Sequence, residues 1–154
     1  MSKSDRYRSP LYDAGDDRAD VARHLSDYYW NIVMPEYLDD SDSRERLFHW
    51  TSVAVRLDPD SHSFRMGWLY ADGIGCRRDT DKAVDFFTDA YCSGDWRGAG
   101  AIAKMLKEYL ENNPGLDAAD RRECEREISD WHKRADLLRD EQFDRIISHI
   151  DRQD

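Results

Sequence analysis

Two stretches of this chain, LFHWTSVAV and AVDFFTDAY, carry large and small apolar residues in the same order, 36 residues apart. Leu47, Trp50, Ala54 and Val55 of the first align with Ala83, Phe86, Ala90 and Tyr91 of the second. A fixed offset of this size marks stacked supersecondary units, none of which can bury its apolar face alone. The flanking segments keep the offset. Met66, Gly67 and Tyr70 fall on Ile102, Ala103 and Leu106, while Trp30, Asn31 and Met34 take the equivalent places one period earlier. Ile128, Trp131 and Ala135 in ISDWHKRAD form a further copy, displaced by the loop ENNPGLDAA.

Within each copy the spacing is helical. An aromatic residue and an alanine four positions apart share a helix face, and the alanine lets the next helix approach closely. Val21, Leu25, Tyr28 and Ile32 form an earlier stripe that ends at Pro35. EYLDDSDSRERL is acidic and turn-rich, and Leu47 to Leu57 then predicts a second helix closed by Asp58-Pro59-Asp60. Further helices are expected at about 61–71, 80–92, 97–112, 118–138 and 141–151. Pro10, Pro35, Pro59 and Pro114 all lie between these stretches, and nothing alternates with period two for long enough to be a strand. The expectation is an all-α chain of about seven helices, with a loose lead-in at 1–15 and one helical-repeat domain at 16–154.

Residues 66–83, MGWLYADGIGCRRDTDKA, hold two glycines one residue apart. A phosphate-cradling loop would need more glycines, a following Lys-Ser or Lys-Thr and a preceding strand, and GIGCRR has none of these. The glycines read better as a turn between helices. Gly73 and Gly75 can adopt positive φ, Gly67 permits close helix contact, and Asp79 or Thr80 can cap the helix that follows. Tyr70, Phe86, Trp50 and Trp131 supply aromatic area for joining one hairpin to the next.

Residues 62–98 resemble the Sel-one-like repeat family, relatives of the tetratricopeptide repeats. Met66-Gly67, Tyr70, Gly73, Gly75, Asp79, Lys82-Ala83, Phe86-Phe87, Ala90 and Gly94-Asp95 match or nearly match its pattern. Cys76 stands where that pattern has Val, and Tyr91 where it has Ala. The flanking copies are degenerate: Tyr37 replaces the first loop glycine, and KEYLENNPG replaces the glycine loop after Leu106. The resemblance implies a short α-solenoid of stacked antiparallel hairpins that binds other proteins and has no catalytic residues.

The chain carries a formal charge of -10, with 36% charged and 40% hydrophobic residues, including five Trp, eight Tyr and five Phe. The apolar content argues for a folded chain, and the negative charge disfavours direct contact with nucleic acid or anionic membranes while attracting basic proteins. No apolar run approaches the length of a membrane span and no secretory signal opens the chain, so a cytoplasmic location is expected. Cys76, Cys92 and Cys124 lack CxxC spacing and read as buried reduced thiols.

His24, His49, His62, His132 and His149 are isolated, so solvated or capping roles are expected. Asp58-Pro59-Asp60-Ser61-His62 reads as a turn and cap rather than an acid-base dyad. Glu36, Asp39, Asp40, Asp42 and Glu45 lack the spacing of a calcium loop and read as a solvated face, with contact to a basic partner as the alternative. No nucleophile, base or metal cluster is legible, so the expectation is a non-enzyme without a cofactor.

A solenoid takes its ligands on the concave face lined by the first helix of each hairpin. Tyr29, Arg65, Trp68, Asp72, Lys104 and Glu108 lie on those helices outside the packing positions. Trp68 stands out, because a large aromatic off the core register is typical of an interface anchor; packing against Trp96 or a terminal helix is the alternative. The functional expectation is an adaptor or inhibitor that binds another protein through this face. The alternative is an acidic immunity or anti-defence type inhibitor that masks a basic or nucleic-acid-binding groove of its target.

Overall fold

The computed structural model describes residues 18–33 and 40–152. The expected lead-in at 1–15 and the positions of Met34, Glu36, Tyr37 and Asp39 lie outside the described residues. Six helices follow one another without a described strand: α1 (Arg18–Val33), α2 (Ser41–Leu57), α3 (Ser63–Asp72), α4 (Thr80–Cys92), α5 (Trp96–Asn112) and α6 (Ala118–Ile150). None is long and apolar enough to cross a membrane. The chain divides into two compact units, residues 1–83 and 84–154.

Local chemistry sets the helix ends. Asp40 accepts from the Asp42 N–H at 3.2 Å and from the Ser43 hydroxyl at 2.6 Å, so α2 begins six residues before Leu47. From Asp40 onward, the acidic string expected as a turn is therefore the first part of a capped helix. Asp79 receives the Lys82 N–H at 3.0 Å to start α4, and Asp95 receives the Arg97 N–H at 3.1 Å to start α5. Asp117 receives both the Ala119 and Asp120 N–H groups to start α6. The two helices expected at 118–138 and 141–151 are one continuous 33-residue α6. Arg139, Asp140, Glu141 and Gln142 include no Pro or Gly, so nothing breaks the backbone ladder between them.

In the first unit, α3 ends at Gly73, whose φ of 67° is left-handed; the N–H groups of Gly73 and Ile74 both reach the Leu69 carbonyl. Ile74 then packs with Leu47 and Leu69 in a buried cluster joined by Tyr29, Trp30 and Phe48. This pairing of a left-handed glycine with an apolar residue just past it closes the helix and ties its end into the core. Gly75, at φ 70°, lies so close to α2 that an added Cβ would sit 2.2 Å from the Arg44 carbonyl oxygen. Its glycine is required twice, by conformation and by space.

A second cluster joins Ala22, Trp50 and Ala54 with Leu25, Tyr29 and Val53. The inner face of α1 is therefore set by Ala22 and Ser26, with Leu25 and Tyr29 beside them, while Tyr28, expected in the stripe, is 58% exposed. Small residues at 22 and 26 allow α2 to come close, and that approach decides which face turns inward.

In the second unit the buried residues include Phe87, Ala90, Ala99, Ile102, Ala103, Leu110 and Ala135. Phe87, rather than the neighbouring Phe86, is the buried member of its pair. An added Cβ at Gly98 would meet the Phe87 carbonyl oxygen at 2.3 Å, so α4 and α5 touch backbone to backbone. Trp131 stands edge-on to Tyr91, with ring centroids 5.8 Å apart. Ala54, Ala90 and Ala135, aligned by the internal offset, are all buried. Of the three thiols, Cys76 and Cys124 are half-buried and Cys92 is exposed, because Cys92 closes α4 on its outer side.

Candidate interaction surface on the first and third helices

Helix α1 brings Ser26, Asp27 and Trp30 to one side, and α3 brings Phe64, Arg65, Trp68 and Asp72 to another at spacings of one helical turn. The two sets meet at Arg65. Its Nη1 donates to the Asp27 carboxylate and to the Ser26 hydroxyl, both at 2.8 Å, and its guanidinium lies 4.6 Å from the Trp30 ring centroid. Trp68 stands edge-on to Trp30 with centroids 5.1 Å apart, and Phe64 lies 6.4 Å from Trp68 on its other side. The Trp68 indole N–H donates to Asp72.

A polar relay anchors this group to the core. A guanidinium only donates, so Ser26 accepts from Arg65, and its hydroxyl also shares a hydrogen bond with Thr51 Oγ1, 2.7 Å away, in which either oxygen can donate. Ser26 and Thr51 are both fully buried.

His62 completes the arrangement from the turn before α3. Its backbone is left-handed, at φ 53°, and its Nε2 lies 3.0 Å from the Asp27 carboxylate. Burial pushes the imidazole below its usual value, and the Asp27 hydrogen bond opposes this without overcoming it. The neutral ring therefore donates through Nε2–H, which leaves Nδ1 buried without a hydrogen-bond partner. Burial alone would raise the Asp27 carboxyl, but hydrogen bonds from His62 and Arg65 outweigh it and hold the group below the usual carboxylate range. Because the Asp27 side chain remains 48% exposed, the cluster is a surface feature fixed from beneath.

The expected site residues separate into two groups. Arg65, Trp68 and Asp72 come together with Trp30, Phe64, Asp27 and His62. Tyr29 does not join them: it packs on both core clusters and its hydroxyl accepts from Arg46 at 3.3 Å. Lys104 and Glu108 are an exposed pair on α5, 4.0 Å apart one turn from each other. Arg65 is held by the protein itself, and Trp68 is half-buried against Trp30 and Phe64 rather than standing free. Trp30 was not among the expected site residues, and in place of the solvated or capping role expected for it, the His62 side chain is buried on Asp27. The shared offset of Trp30 and Met66 was the available signal for α1 and α3 being equivalent helices; nothing in the sequence signals the His62 contact.

The turn at Asp58–His62 is as the sequence suggests: the Ser61 N–H returns to the Asp58 carbonyl at 3.0 Å, and the Ser63 hydroxyl donates to the Pro59 carbonyl at 2.7 Å. The glycine loop borders an open pocket of about 610 Å³ lined by Phe48, Tyr70, Cys76, Arg77, Arg78, Asp79, Thr80 and Lys82. Of its backbone donors, those of Gly73 and Ile74 reach the Leu69 carbonyl and that of Asp79 the Tyr70 carbonyl at 3.0 Å. The Asp79 carboxylate caps α4 where a phosphate would have to sit. Among the described residues no group of three or more His, Cys, Asp or Glu side chains converges as a metal site.

No family model matches this chain, and no curated protein matches it either.

Proposed function

We propose that the chain is a helical-repeat interaction module of the Sel-one-like kind, its hairpins stacked as a short α-solenoid. It binds another protein through the side formed by α1 and α3 and carries out no chemistry of its own. The observation that carries this reading is the partly exposed Trp30–Trp68 pair, with Arg65 over the Trp30 ring and fixed through Ser26 to Thr51. Aromatic residues presented rigidly lose little freedom on binding, which is what makes them effective interface anchors. The burial of Ala54, Ala90 and Ala135 at the repeat offset supports the solenoid reading. Asp72 puts a carboxylate at the rim of the aromatic pair, while Asp27 is paired with Arg65, which suits a partner segment carrying Lys or Arg beside an apolar side chain.

The test is affinity capture with the full chain and with Trp68→Gln, which removes the ring and leaves the relay in place. The expected result is a partner retained by the unaltered chain and lost by the variant. A partner captured equally by both refutes this surface. The net charge of -10 favours a second reading, the acidic inhibitor that covers a basic groove. That reading requires binding that collapses between low and high salt and survives Trp68→Gln.

A further inference from the structure

Helix α6 ends in an apolar stripe that nothing in the described protein covers. Phe143, Ile146, Ile147 and Ile150 recur at i, i+3, i+4 and i+7 and are 55 to 58% exposed. This spacing puts all four on one side of the last two turns, the pattern of a helix that buries that side against another element. Exposed apolar residues scattered singly need no explanation, but four large ones in register do.

The borders of the stripe differ from each other. On one border Gln142 donates to the Gly94 carbonyl and Arg139 lies 5.8 Å from the Trp96 ring centroid, so these side chains are held by the second unit itself. On the other border Asp140, Asp144 and, at the C-cap, Asp151 are exposed; Asp140 also pairs with Arg139 at 3.4 Å, so Asp144 and Asp151 carry the charge of this edge. The free edge of the stripe is therefore uniformly acidic. A second copy of the chain would bring an acidic edge, and a total charge of -10, to a matching surface, which is unfavourable. An anionic lipid surface meets the same repulsion.

We propose that the last two turns of α6 are a docking face for a basic amphipathic helix of another protein. That helix lays apolar residues at i, i+3, i+4 and i+7 along Phe143, Ile146, Ile147 and Ile150, and sets Lys or Arg against Asp140, Asp144 and Asp151. The face belongs to the second unit and the Trp30–Trp68 surface to the first. It stands or falls independently of the reading given there.

Fluorescence anisotropy of the full chain in 150 mM salt tests it, with two labelled 18-residue helical peptides as probes. Both carry Leu at i, i+3, i+4 and i+7 repeats, one with Lys and the other with Glu at the remaining positions. The expected result is binding of the Lys peptide at least tenfold tighter than the Glu peptide, weakened at least tenfold by Ile147→Asp and unchanged by Trp68→Gln. Reversing Asp140, Asp144 and Asp151 to Lys should transfer the preference to the Glu peptide. Reversing Glu123, Glu127 and Asp130, on the far side of α6, should change binding less than threefold. Equal binding of both peptides, or an equal effect of the two charge reversals, overturns the proposal. So does a dimer in sedimentation velocity, or binding to phosphatidylcholine vesicles, that Ile147→Asp abolishes, since a second copy or a membrane would then be the occupant.

Discussion

Gly73 and Gly75 both hold left-handed backbone, at φ 67° and 70°, yet the protein surrounds them differently. Replacing either with Ala forces an L-residue into a conformation that costs about 1–2 kcal/mol. At Gly73 the new methyl would find its nearest neighbours, all in the loop that follows, at 3.2 to 3.4 Å, a contact that small shifts relieve. At Gly75 it would lie 2.2 Å from the Arg44 carbonyl oxygen and 2.8 Å from both the Arg44 carbonyl carbon and Phe48 Cβ. Two of these three atoms are backbone in α2, so the loop and the helix must separate, and overpacking of that kind costs a further 1–3 kcal/mol or so.

The expected destabilisation is thus about 1–2 kcal/mol for Gly73→Ala and about 3–4 kcal/mol for Gly75→Ala. With a urea dependence of roughly 2 kcal/mol per molar, the two midpoints should differ by about 1 M when unfolding is followed by circular dichroism at 222 nm. Asn tolerates the left-handed region, so Gly73→Asn should recover part of the loss. Gly75→Asn should not, because the overlap with α2 remains. Midpoints for the two Ala variants within about 0.2 M of each other would refute the close approach of the loop to α2, and with it the reason for the second glycine.

Two glycines of α5 should respond in opposite directions. Gly98→Ala places a methyl 2.3 Å from the Phe87 carbonyl oxygen and should destabilise by about 2 kcal/mol or more, whereas Gly100, with nothing within 4 Å, should gain about 0.5–1 kcal/mol as Ala, both read by urea midpoint. Thr51→Val leaves the buried Ser26 hydroxyl without its Thr51 partner and should cost about 1–3 kcal/mol in the same assay, more than Ser52→Ala, whose hydroxyl donates to the Phe48 carbonyl of its own helix and makes a weak contact with the Met66 sulfur at 3.8 Å. Stability should also fall as pH drops below 6.5. His62 binds its proton less readily in the folded protein than in the unfolded chain, so its contribution is whole above that value and is lost towards the lower folded one. His49 is shifted the same way by burial and by Arg56, so His62→Gln should reduce the slope of the urea midpoint between pH 7 and 5 without removing it. An unchanged slope would refute the buried neutral imidazole.

The helices were legible because each carries its own punctuation. Asp79, Asp95 and the Asp58-Pro59 turn lie where a cap or stop must lie, and the left-handed glycines follow helix ends. The start of α2 was misplaced because EYLDDSDSRERL offers several acids, and only geometry selects Asp40 as the cap. No large apolar residue lies between Leu138 and Phe143, next to the break expected near residue 140. That gap marks where the stripe changes sides from the Ala135 face to the Phe143 face, and the backbone runs through it undisturbed. The three-to-four-residue spacing of Val21, Leu25, Tyr28 and Ile32 places Tyr28 inward, but the decisive residues are the small ones at 22 and 26. Trp68 could be singled out from its register alone. Its partner Trp30 lies on a helix 30 residues and more away, and pairwise ring contacts of that kind leave no periodic trace.

The relay changes what Arg65 can be. Read from sequence it is a charged residue on the exposed side of α3, available to a partner. In the protein its guanidinium is already shared among Asp27, Ser26 and Trp30, and only 17% of its side chain is exposed. A variant at Arg65 would release Trp30 and leave Ser26 without a donor before it altered any contact with a partner. Lys could not replace it either, because one ammonium cannot lie flat on the Trp30 ring while reaching both oxygens. Arg65 is therefore a positioning residue, and loss of binding in an Arg65 variant says nothing about direct contact. Trp68 and Asp72 are the side chains a partner would meet, since their removal leaves Arg65, Ser26 and Thr51 connected.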